Sequence, residues 1–208
     1  MKKAEMINMA VLASGNGSNF EALARAVSRQ GFSGAKIKLL ISDVEKSFVR
    51  QRAKRLDVKD MFVDPKKFLS CRKYDEFLVK LLKQESVELV ILAGYMRILS
   101  PYFIKKFKNR ILNVHPALLP AFKGKDAIKR ALGYGCKITG VTVHLVDEKV
   151  DNGPIVLQQS LRIDEGMSFK KLESAIHSLE HKLLPQAVKL FIEKRVKINI
   201  RSRRAEII

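Results

Sequence analysis

Short apolar runs alternate along the chain with stretches in which apolar residues recur every three or four positions. Residues 7–13 form such a run, which stops at Ser14-Gly15-Asn16-Gly17-Ser18-Asn19; Phe20, Leu23, Ala24 and Val27 follow at helical spacing. This is the pattern of a strand, a glycine turn and a helix. Residues 36–42 alternate as a second strand, 44–56 read as a basic amphipathic helix, and 58–63 as a third strand. Tyr74, Phe77, Leu78, Leu81 and Leu82 mark another helix, and 87–93 reads as an apolar strand, Glu88 apart, of the kind buried on both faces. Ser100-Pro101 predicts a capped helix start. Beyond it come a strand over 110–115, an ordered loop over 117–125, a short helix over 126–132 and an alternating strand over 137–146. A last strand over 158–163 precedes a long helix over 168–193, and the basic segment 196–208 suggests an added edge strand. Strands alternating with helices at this rhythm predict an α/β fold: a mostly parallel, mixed sheet flanked by helices, with a Rossmann-like N-terminal half. With no repeat and no linker, residues 1–208 read as a single domain.

Composition narrows the function classes. Apolar residues make up 47% of 208, so a sizeable core is expected and disorder is excluded. No apolar run is long enough to span a membrane. Two cysteines without a CxxC pattern give neither a disulfide framework nor a cysteine zinc site, and a reducing, cytoplasmic location follows as the expectation. The net charge of +19 attracts anions, nucleic acid among them. The excess is spread over residues 46–83, 99–137 and 189–208, and there is no tryptophan. A nucleic-acid module concentrates its charge and interleaves aromatics. A solvated basic surface, with no specific nucleic-acid partner, is therefore expected.

Four places carry candidate chemistry. The loop Gly15–Asn19 joins a strand to a helix, where backbone N–H groups and glycines suit a phosphate monoester; a plain strand-to-helix turn capped by Ser18 or Asn19 is the alternative. Asn113 and His115 lie two apart on a strand and face one way, at the end where open α/β sheets bind ligands. An amide and an imidazole there are anomalous on an otherwise apolar strand, and they suit oxyanion stabilisation and proton transfer. Asp151, in Asp-Asn-Gly-Pro, either closes a turn or reaches His115 to orient it. His177-Ser178-Leu179-Glu180-His181 matches an inverted zinc-peptidase pattern but lacks a third ligand, so no metal is expected.

Asn113-Val114-His115-Pro116-Ala117-Leu118-Leu119-Pro120 resembles the folate-dependent phosphoribosylglycinamide formyltransferase family. So do Ser14–Asn19, Ala93-Gly94-Tyr95-Met96-Arg97-Ile98-Leu99-Ser100-Pro101, residues 139–144, residues 150–155 and Glu180-His181, in that order along the chain. The resemblance implies the formyltransferase fold and transfer of a formyl group from 10-formyltetrahydrofolate, as co-substrate, to the amine of glycinamide ribonucleotide in de novo purine biosynthesis. It implies Asn113, His115 and Asp151 as the catalytic trio. Gly17, Ser18 and Asn19 are implied for the ribonucleotide phosphate and Glu180 for its ribose. Met96, Arg97, Ile98, Leu99, Asn113, Asp147, Glu148, Lys149, Val150 and Asp151 are implied for the folate. No bound cofactor is implied, the partners are the two small-molecule substrates, a monomer or weak homodimer is expected, and the Leu119-Pro120 bond is expected to be cis. Two positions depart from the family's pattern: Ala117 replaces a serine, and Cys71, with Arg72 beside it, aligns with a folate-contacting arginine.

Overall fold

The computed structural model describes residues 6–29, 32, 34–199 and 204–208. Seven strands form one mostly parallel sheet in the order β3-β2-β1-β4-β5-β6-β7. The chain clusters into two compact units, residues 1–112 and 113–208, with the boundary inside β5 (Ile111–His115).

In the first unit β1 (Ile7–Leu12) pairs in parallel with β2 (Ala35–Ser42) on one side and β4 (Leu89–Leu92) on the other, and β2 pairs in parallel with β3 (Asp60–Phe62). The strand order reverses at β1, which creates a topological switch point beside its C-terminal end. Met9 to Leu12 and Leu89 to Leu92 are buried, as strands covered on both faces require. The covering helices are α1 (Ser18–Ser28), α2 (Phe48–Arg55), α3 (Cys71–Gln84) and α4 (Pro101–Lys106). α3 turns Tyr74, Leu78 and Leu82 into the core. Burying three such side chains contributes on the order of 5 kcal/mol, taking about 1.5–3 kcal/mol for each. The helix predicted over 44–56 begins only at Phe48, because Ser42 and Ser47 hydroxyls meet at 2.8 Å and hold the intervening residues in a turn.

The second unit holds β6 (Ile138–Leu145) and β7 (Ile155–Arg162), an antiparallel pair, with α5 (Ala127–Gly133) and the long α6 (Phe169–Ile192). β7 starts three residues before the predicted 158, since Ile155 already pairs with His144. Among the described residues, those at the C-terminus do not extend the large sheet. β8 (Val196–Asn199) and β9 (Arg204–Ile207) pair with each other in a separate two-stranded ribbon. Among the described residues no helix is long and apolar enough to cross a membrane.

Candidate active site

The second unit gathers Asn113, His115 and Asp151 with a further histidine. β5 delivers Asn113 and His115 to one side by simple alternation. Asp151 comes from the turn after β6, where its φ of +45° puts it in the left-handed region that Asp and Asn tolerate best. Gly153 follows two residues later, and a Cβ there would run into the Leu145 carbonyl, so the turn folds back tightly on the end of β6. Asp151 Oδ2 thereby lies 3.3 Å from His115 Nδ1 and accepts the Gly124 N–H at 2.7 Å. Asp151 Oδ1 accepts from Asn113 Nδ2 at 3.3 Å and lies 3.5 Å from His144 Nε2.

Burial alone raises the Asp151 pKa, but the hydrogen bonds it accepts, that of the Gly124 N–H among them, and the charge of His115 outweigh it, and the carboxyl is held at about 2. His115 is 5% exposed, and burial pushes its pKa below the usual value against the pull of Asp151. Its Nε2 lies 3.0 Å from the Phe122 carbonyl, which only accepts. Both ring nitrogens therefore face acceptors. A neutral ring keeps one lone pair aimed at an oxygen, and a proton taken up on that nitrogen finds its hydrogen-bond acceptor already in place. That is the arrangement of a proton carrier.

Sequence reasoning missed His144. Its Nδ1 donates to the Leu145 carbonyl at 2.8 Å, which leaves Nε2 to accept from Asn113 Nδ2 at 3.1 Å. The signal was present: Thr142 and His144 share one side of β6, as Asn113 and His115 do of β5. Thr142 is the second half of that pair. Its hydroxyl donates to Ala117 O at 2.7 Å and accepts from Leu119 N at 3.1 Å, which fixes the segment leading to the cis Leu119-Pro120 bond. The remaining folate candidates form their own turn: Asp147 accepts from Lys149 N and Asn152 Nδ2, and Val150 is exposed. Glu180 lies buried on α6 and bonds His177 Nδ1 at 2.9 Å, which engages the first histidine of the zinc-like pattern. Among the described residues no group of three or more His, Cys, Asp or Glu is placed to hold a metal.

In the first unit the loop after β1 ends in Gly17, the N-cap of α1, and α1 begins with no side-chain cap. Neither Ser18 nor Asn19 is the cap; they are the first two residues of the helix. By contrast, α3, α4 and α6 are capped by Ser70, Ser100 and Ser168. Gly17 has φ +77°, and a Cβ on it would strike the Val49 side chain and lie 2.8 Å from its Cα. Glycine is thus required by packing against α2 before any ligand is considered. The loop after β4 lies beside it, Met96 N donating to Ser14 Oγ at 2.9 Å. Met96 and Ile98 are exposed, whereas Leu99 is buried. Arg97 stacks over Tyr74 at 5.0 Å and donates to Cys71 Sγ at 3.6 Å, while Arg72 pairs with Glu76.

Residues 7–188 match the formyl transferase family, and the chain belongs to it. The chain is 39% identical over 184 residues to the phosphoribosylglycinamide formyltransferase of Bacillus subtilis (strain 168), covering 88% of this chain and 94% of that one. It is 38% identical over 192 residues to the trifunctional purine biosynthetic protein adenosine-3 of Gallus gallus, spanning 92% of this chain but 19% of that longer protein. Among solved structures, glycinamide ribonucleotide transformylase 1 from Symbiobacterium toebii superposes with a TM-score of 0.94 at 39% identity, covering 99% of this chain and 96% of that one.

Proposed function

We propose that this protein transfers the formyl group of 10-formyltetrahydrofolate to the amine of glycinamide ribonucleotide, a step of de novo purine biosynthesis. The observation that carries the reading is Asp151 bonded to both Asn113 and His115, within a chain of this family. The amine attacks the formyl carbon, and the tetrahedral intermediate carries an oxyanion and a cationic nitrogen. Asn113 donates to the oxyanion by exchanging its longer bond, the 3.3 Å contact to Asp151, while His144 keeps the other amide hydrogen. The proton leaving the amine passes through His115 to the departing folate nitrogen, the C–N bond to folate breaks, and the oxyanion collapses to the new formamide. His115 Nε2 serves this step by leaving the Phe122 carbonyl, with Nδ1–H still held by Asp151.

Gly17, Ser18 and Asn19 take the ribonucleotide phosphate on the uncapped start of α1, and Glu180 takes the ribose. Met96, Arg97, Ile98, Leu99, Asn113 and the turn of Asp147, Glu148, Lys149, Val150 and Asp151 take the folate. Exposed Met96 and Ile98 offer apolar surface for its ring system. The folate is a co-substrate, and neither a bound cofactor nor a metal takes part. The protein works in the cytoplasm as a monomer or weak homodimer, with no specific nucleic-acid partner. The test is an assay of purified protein with both substrates, beside a control in which water is the only acceptor. Formylated ribonucleotide is expected; release of formate at the same rate with and without ribonucleotide would overturn the reading.

A further inference from the structure

We infer that Arg52 is a positioning residue for the ribonucleotide phosphate, acting through the peptide that joins Asn16 to Gly17. The inference rests on the assignment of that phosphate to the loop after β1. Arg52 lies on α2, 36 positions after the loop. Its Nε donates to the Asn16 carbonyl at 2.9 Å and its Nη2 to Asn16 Oδ1 at 2.8 Å. Nη1 pairs with Glu21 in the first turn of α1, and the guanidinium packs over the Phe48 ring at 4.9 Å. One residue earlier in the loop, the Gly15 carbonyl accepts from Val49 N at 3.1 Å. Two successive loop carbonyls are therefore turned toward α2.

A trans peptide is planar, and its N–H points opposite to its C=O. Fixing the Gly15 and Asn16 carbonyls toward α2 turns the N–H groups of Asn16 and Gly17 to the other side of the loop. Successive N–H groups presented this way make an anion-binding concavity, continuous with the uncapped start of α1. Val49 supplies its bond from the helix backbone, so substitution cannot remove it. Arg52 supplies its bond from a side chain, and only a planar fork reaches the Asn16 carbonyl, the Asn16 amide and Glu21 together. Lysine offers one point charge in place of that fork.

The experiment compares glycinamide ribonucleotide with glycinamide ribonucleoside, which lacks the phosphate, in the wild type, Arg52→Gln and Arg52→Lys. The readout is the ratio of kcat/KM for the two substrates. In Arg52→Gln that ratio is expected to fall by about tenfold, through KM for the ribonucleotide, with kcat and the folate KM near wild type. Arg52→Lys is expected to show a smaller fall with the same split, and it decides the matter if Arg52→Gln melts below the assay temperature. A purely structural role lowers activity on both substrates together and leaves the ratio intact; that outcome overturns the role of Arg52. A wild type that does not prefer the phosphorylated substrate overturns the phosphate-loop assignment itself.

Discussion

Asp151 Oδ2 and His115 Nδ1 lie 3.3 Å apart across 36 residues of chain, and the same carboxylate also takes a hydrogen bond from Asn113. A turn-closing aspartate has no reason to make these contacts. The φ of +45° at Asp151 suits Asn as well as Asp, so Asp151→Asn leaves the turn in place and removes only the charge. Activity is expected to fall by roughly 10²–10⁴-fold with both substrates still bound. The acid limb of the kcat/KM profile is expected to move to lower pH, because the Asp151 charge raises the His115 pKa against burial. Steady-state kinetics over pH 5–9 check both effects, and an unshifted limb with full activity removes Asp151 from the mechanism.

His144 holds the Asn113 amide through a single acceptor nitrogen. His144→Gln keeps a polar side chain at this buried position but loses the ring that spans Leu145 O and Asn113. The expected result is a fall in kcat of about tenfold with little change in either KM, since a misaimed amide weakens oxyanion donation more than binding. In a double-mutant cycle with Asn113→Ala the two losses are expected to be far less than multiplicative. Independent, multiplicative losses would show that His144 does not act through Asn113.

Period and position made most of the fold legible. Residues 87–93 read as a buried strand because every side chain but Glu88 is apolar, and Asn113 and His115 stood out because strands of that kind exclude them. Boundaries were lost where side chains override periodicity, as at Ser42 and Ser47, whose hydroxyl contact delays α2 to Phe48. The C-terminal segment alternates as an edge strand does, but alternation does not name a partner, and β8 found β9 instead. His144 was hidden for a different reason. A histidine in an apolar strand is informative only once its neighbour across the sheet is known, and that neighbour is 31 residues away in sequence.

Gly17 was read from sequence as a residue that lets phosphate approach, and the packing gives it an earlier duty. A Cβ at this position meets Val49, whose backbone is fixed by its bond to Gly15 O. Gly17→Ala combines this overlap with a left-handed backbone and is expected to destabilise by about 1–3 kcal/mol. Thermal melts check this without substrate present. A melting curve equal to wild type would mean that α2 gives way at little cost.

Arg97 braces the first unit by lying over Tyr74 and against Cys71. An exposed cation–π contact is worth about 0.5–1 kcal/mol. Arg97→Ala is therefore expected to lower the melting temperature slightly and to raise the folate KM several-fold, because residues 96–99 lose an anchor. Wild-type melting with wild-type kinetics would deny Arg97 both roles.

Stability is expected to fall with acid in two windows, both set by the same pair. Burial lowers the His115 pKa, so between its usual 6.5 and its folded value the unfolded chain binds more protons than the folded one. The stabilisation is whole above 6.5 and declines as pH falls through that interval. Asp151 is depressed from 3.8 to about 2, so its contribution is whole above 3.8 and is lost as pH falls toward 2. That shift corresponds to about 2 kcal/mol. His177 works in the opposite direction: its hydrogen bond to Glu180 raises its pKa, and the gain is present in acid and fades as pH rises through the folded value. Chemical denaturation of wild type and Asp151→Asn at pH 7, 5, 4, 3 and 2 separates the windows. The variant is expected to be the less stable at neutral pH and to converge on wild type below pH 3, because protonation then removes from the wild type the charge that the substitution removes everywhere. A difference that stayed constant down to pH 2 would mean that the cost of Asp151→Asn lies in packing and that the carboxylate is not held by His115, Asn113 and the Gly124 N–H.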